Sequence, residues 1–195
     1  KDITIDFGGK TYTFTQPPVG STGTETQGFH IKKNNTVTLK NGTLNVDEDY
    51  EINYAMLIQN YANLTLEDMN LDGTNLDRLI IRKANGEISN SYSYVLSNNS
   101  GTVNITGNTN ITANDEGDSA FAFDVCKFQS HDAPTVNVST TGLISGDIEV
   151  TTGANTTGNG EPTLAISKGT SYFLLSSYAR WDIISLSILY LILLI

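Results

Sequence analysis

Carboxylates come in two runs in this 195-residue chain, Asp47-Glu48-Asp49 and Asp115-Glu116 with Asp118. Paired carboxylates can do acid and base work on a glycosidic bond, and clustered ones can hold calcium. Neither run has the alternating spacing of a calcium loop, and both lie in turn-like text where Asp is common for backbone reasons. Asp115, Glu116 and Asp118 are the metal candidates the sequence offers, and they read first as solvated loop residues. The two histidines, His30 and His131, are remote from each other in sequence and by themselves form neither a metal set nor a triad. Cys126 stands alone, which excludes an internal disulfide and reads as a small core residue. Arg78, Arg82 and Lys83 flank Leu79-Ile80-Ile81 and read as charges that keep an exposed strand or loop soluble. No nucleophile elbow and no glycine spacing of a phosphate loop occurs, so no catalytic residue and no cofactor is assigned.

Aromatic rings offer another chemistry, stacking on sugars, and Tyr50, Tyr61 and Tyr92 are the candidates for it. Tyr94 is assigned to packing instead, because it takes the same repeat position as Phe29 and Phe121. The charge balance, 11 Lys and Arg against 21 Asp and Glu for a net of −10, repels a phosphate backbone or an anionic lipid surface. Nucleic acid is therefore not an expected partner. Eight N-x-[ST] triplets, at Asn34, Asn41, Asn63, Asn98, Asn104, Asn110, Asn137 and Asn155, are what a chain rich in Asn and Thr generates by chance.

The elements that must position these residues are short strands. Thr and Asn dominate the polar residues and 17 Gly supply turns, a mixture that suits strands joined by tight corners. One three-strand unit occurs four times. Its copies run Phe29-His30-Ile31, Val37-Thr38-Leu39, Leu44; then Met56-Leu57-Ile58, Leu64-Thr65-Leu66, Leu71; then Tyr94-Val95-Leu96, Val103-Asn104-Ile105, Ile111; then Phe121-Ala122-Phe123, Val136-Asn137-Val138, Leu143. The distance between copies varies, with insertions at Leu76 to Ser93 and Cys126 to Pro134. Within a copy it is tight: 7 positions from Val37 to Leu44, 7 from Leu64 to Leu71, 8 from Val103 to Ile111 and 7 from Val136 to Leu143. One such unit buries too few apolar side chains to offset the entropy of ordering it, so the units must stack. The expectation is an all-β, single-domain parallel solenoid of about five to six short coils, with Val37, Leu64, Val103 and Val136 on one inward ladder. An antiparallel sandwich is the competing reading of short alternating strands.

The phrases Asn35 to Val46, Asn63 to Gly73, Gly101 to Ala113 and the opening Ile3 to Phe14 resemble right-handed parallel β-helix repeats. Pectate-lyase-like solenoids and adhesin-like microbial surface proteins use similar text. The resemblance covers residues 1–171 and implies the handedness, an extracellular or cell-surface setting, and a host surface or a polysaccharide as partner. It implies a structural, adhesion or glycan-binding module of a larger microbial surface protein; the alternative is a polysaccharide lyase or glycoside hydrolase. Outward carboxylates aligned on neighbouring coils along a groove would bring the enzyme reading forward.

From about Tyr172 the text changes, and Ile183 to Ile195 is apolar except for Ser185 and Ser187. Residues 172–195 form an apolar tail read as an end cap, a truncated anchor or a frame artefact. Its apolar run is short for a membrane span of about 20 residues, and membrane contact is expected only if the tail is a natural part of the protein.

Overall fold

The computed structural model describes residues 1–48, 54–77, 79–82, 84–114, 120–167 and 171–173. Among these the secondary structure is β throughout, with no helix. The strands are β1 (Asp2–Phe14), β2 (Gln27–Ile31), β3 (Thr36–Val46), β4 (Met56–Asn60), β5 (Asn63–Asp72), β6 (Leu79–Arg82), β7 (Ile88–Asn98), β8 (Thr102–Thr106), β9 (Asn110–Thr112), β10 (Ala120–Lys127), β11 (Thr135–Val138), β12 (Leu143–Ser145), β13 (Asp147–Thr152), β14 (Thr163–Ile166) and β15 (Ser171–Phe173). Residues 174–195 of the apolar tail lie outside the described residues, whereas Tyr172 and Phe173 belong to β15 and pair with β12.

Two parallel sheets result, neither of them closed. The first pairs β1 with β3 and β3 with β5; β5 then pairs with β8 through its first half and with β9 through its second. From there β8 continues to β11 and β14, and β9 to β12 and β15. The second sheet runs β2, β4, β7, β10, β13. The chain therefore visits the second sheet, then the first, and repeats. This return is why the pairings are parallel and excludes the antiparallel sandwich. Among the described residues the one antiparallel pair of strands is β6 with β7, which turns the insertion after Leu76 into a hairpin.

Register carries the repeat. Ile3, Val37, Leu64, Val103, Val136 and Leu164 are successive Cα partners, and so are Ile5, Leu39, Leu66, Ile105, Val138 and Ile166. The expected ladder of Val37, Leu64, Val103 and Val136 is thus present and continues beyond both ends. Burial alternates along these strands because successive side chains take opposite faces, and the threonines and asparagines between the rungs are the less buried ones. Leu64 is 1% exposed, but Ile3, on the edge strand, is 44% exposed.

Left-handed residues bend the chain at both sides of the first sheet. Asn34 and Gly101 precede it, and Asn41, Asp68 and Gly107 break it at matching levels. Asn, Asp and Gly are the types that accept this backbone. Asparagines also join levels: Asn137 Nδ2 donates to Asn104 Oδ1 at 3.0 Å, Asn63 Oδ1 accepts the Thr102 N–H at 3.0 Å, and Asn110 Oδ1 accepts the Leu143 N–H at 2.8 Å. Several of the apparent sequons are thus structural amides.

One correction concerns the first sheet, where it is Ile144, 1% exposed, that pairs with Ile111, one residue past Leu143, which is 39% exposed. The other concerns the second sheet. Phe29 pairs with Ile58, and Ile58 with Leu96; it is Gln27 that lines up with Met56 and Tyr94. The first copy is two residues out of step with the alignment drawn from sequence. Met56, Leu57 and Ile58 are all buried, so no alternation of polar and apolar residues marks the register there.

Candidate functional site

The candidate site lies at the end of the second sheet's strands, where the chain turns toward the first sheet. Tyr61 follows β4 directly, and its ring lies between two imidazoles, 5.7 Å from His30 and 4.8 Å from His131. His30 belongs to β2. His131 lies in the excursion between β10 and β11, which is held by its neighbours: the Thr157 N–H donates to the Gln129 carbonyl at 2.9 Å and the Ala133 N–H to the Asn159 carbonyl at 2.8 Å. Three levels of the fold thus deliver one row of rings. Tyr61 and His131 line a polar cleft of about 550 Å³ whose walls also include Lys33, Asn63, Ser100, Ser130 and Asp132, while His30 lines a separate apolar recess with Ile3, Ile5 and Phe29.

Burial holds the His30 imidazolium below its usual range, with the Lys32 charge adding to the effect. Burial also raises the Tyr61 hydroxyl, so it stays a neutral donor and acceptor at ordinary pH. Asp132 is held low, first by the Asn159 backbone N–H and then by the Asn159 amide, and both bonds go to Oδ1 at 2.8 and 2.9 Å. Rings at the edge of a cleft rich in amides and hydroxyls can stack on one face of a sugar and hydrogen-bond its hydroxyls.

A second polar feature crosses the same sheet. His30 pairs with Gln59 and Gln59 with Ser97; Ser97 Oγ lies 3.1 Å from Asp124 Oδ2, and Asp124 pairs with Glu149. Beside this column Tyr94 stacks on Phe121, with centroids 4.7 Å apart, and its hydroxyl donates to Glu149 Oε2 at 2.8 Å. Tyr92 lies 5.2 Å from Tyr94. Burial and the two nearby carboxylates raise both tyrosine hydroxyls. Two acidic residues are therefore aligned on neighbouring strands, but Asp124 is only 4% exposed. Burial pushes the Cys126 thiol up to about 12, an inert side chain rather than a nucleophile.

Of the stacking candidates, Tyr61 is in the cleft, Tyr92 lies near the Tyr94 and Glu149 pair, and Tyr50 lies outside the described residues. Asp115, Glu116 and Asp118 also lie outside them, as do Arg78 and Lys83. Among the described residues no three His, Cys, Asp or Glu come together as a metal-binding group, and no helix is long and apolar enough to cross a membrane. Sequence reasoning missed His131 as a partner of Tyr61, because their proximity depends on stacking nonadjacent levels. It also missed Asp124, although a carboxylate inside Phe121-Ala122-Phe123-Asp124-Val125-Cys126 is a visible break in an apolar run. Compared with family models, with curated proteins and with solved structures, the chain matches none.

Proposed function

We propose that the chain is a parallel β-helix solenoid that serves as a glycan-binding or adhesion module of a larger extracellular microbial surface protein. The in-register rungs from Ile3 to Leu164 and the return of the chain between two parallel sheets support the solenoid. The handedness rests on the resemblance alone. The observation that carries the binding role is the pair of rings Tyr61 and His131 in the wall of a polar cleft, with His30 packed behind Tyr61. Calorimetric titration with a panel of neutral and acidic oligosaccharides tests it. At least one should bind, and Tyr61→Ala should weaken it about tenfold, roughly 1.4 kcal/mol, without changing the melting point. Equal affinity in that variant, or no binding by the intact chain, overturns the reading.

A polysaccharide lyase or glycoside hydrolase is the second reading, and the alignment of Asp124 with Glu149 favours it. Burial raises Asp124 to about 8, the range of a general acid. Its enclosure works against that role, since an acid must reach the leaving oxygen. Product formation by the intact chain, abolished in Glu149→Gln, is the result that would put the enzyme first.

A further inference from the structure

Among the described residues Asp124 has no salt-bridge partner. It is 4% exposed in the middle of β10. Toward β7 it accepts from Ser97 Oγ at 3.1 Å and from the Asn98 backbone N–H. Toward β13 its Cα partner is Glu149. The other ionisable groups that feel its charge are Tyr61 after β4, Tyr92 and Tyr94 of β7 and Cys126 of its own strand, all of them acids. Lys127, three residues along, turns its Nζ to the Gly160 carbonyl at 2.9 Å. The rest of the surrounding knot is built from neutral amides. Asn98 Nδ2 donates to the Asp124 carbonyl at 2.9 Å and Asn99 Nδ2 to Ser97 Oγ at 3.3 Å, while Asn98 Oδ1 is buried without a partner.

We propose that Asp124 is held as the neutral acid and forms a proton-dependent latch that joins β10 to β7 and loosens as the pH rises. A neutral carboxyl keeps both contacts without a charge: one oxygen accepts from the Asn98 N–H, and its hydroxyl and Ser97 Oγ, each able to donate or accept, share the other. Loss of that proton leaves a buried, uncompensated charge facing Glu149. The Ser97 and Asn98 donors favour the anion, but desolvation outweighs them, and the carboxyl is raised from 3.8 to about 8. A folded-state value above the unfolded one means that the proton stabilises the fold: its contribution is complete below about pH 4 and is lost as the pH climbs through about 8. Because β10 leads directly into residues 128–134, which carry His131, the latch also bears on one wall of the cleft. That consequence rests on the binding reading; the latch itself does not.

Thermal unfolding of the chain and of Asp124→Asn between about pH 5 and about pH 9 tests the latch. The amide keeps an acceptor for the Asn98 N–H and a donor for Ser97 Oγ without a titrating proton. The melting point of the natural chain should drop over this window relative to the variant. A second reading needs no variant: the carbon resonance of the Asp124 carboxyl should hold its neutral-acid position at pH near 6 and move only toward alkaline pH. Parallel melting profiles, or a carboxylate position already reached at pH near 5, overturn the proposal. Should the variant not fold, the resonance alone decides.

Discussion

The two sheets repeat in different senses. In the first, one rung reads Val37, Leu64, Val103, Val136: the same kind of side chain at every level, buried to 6% exposure or less. In the second, the column His30, Gln59, Ser97, Asp124, Glu149 changes its chemistry at every level. A rung of like residues can only stack, and it gives each level the same packing term. A column of unlike residues does nothing for regularity and costs burial of polar groups. Departures from local rules of this kind are where functional chemistry is expected. The first sheet is the scaffold, and the second, with the corner at Tyr61, holds what is particular to this protein.

The contrast is broken most severely by charging a rung. Leu64→Asp places an unpaired carboxylate at an inner level, 1% exposed, and should cost more than about 4 kcal/mol. Loss of the cooperative transition in a circular dichroism melt is the expected outcome, and near-normal melting would show that the residue is not packed as described. Leu66→Ala removes part of the same core, at 0% exposure, and should cost roughly 2 to 5 kcal/mol. Ile5→Ala on the same rung, at 39% exposure on the edge strand, should cost under about 1 kcal/mol. Denaturant titration of the pair measures the difference, and equal costs would mean that the end of the rung is covered. Gly101→Ala probes the corner, where φ is +80° and an added Cβ would come within 2.3 Å of the Ala62 carbonyl oxygen. About 1 kcal/mol or more should be lost in the same titration, and a neutral result would show that the corner relaxes.

Much of the first sheet was legible in the sequence. Val37, Leu64, Val103 and Val136 fall on one rung because polar and apolar residues alternate there, and a one-residue slip would expose every buried side chain. The corners at Asn34, Asn41, Gly101 and Gly107 follow a local rule as well, because only a few residue types accept a left-handed backbone. The second sheet was harder. Met56-Leu57-Ile58 is apolar at every position and fixes no register, so Phe29 was matched to Met56 when it pairs with Ile58. Tyr94 was assigned to the core with Phe29; the structure keeps its stacking on Phe121 and adds the bond to Glu149. Tyr61 was legible only as a residue type. Its placement between His30 and His131 depends on an excursion packed at a different level, and no local pattern encodes it.

The division into scaffold and site is tested most directly by following backbone amide resonances while an oligosaccharide is titrated into the intact chain. The account predicts shifts at Tyr61, Asn63, Ser130 and His131 that saturate together, with the rung Leu39, Leu66 and Ile105 unmoved, and saturation of the remaining cleft resonances at about tenfold higher ligand in Tyr61→Ala. Shifts spread evenly along the first sheet, or a titration unchanged in that variant, would contradict it.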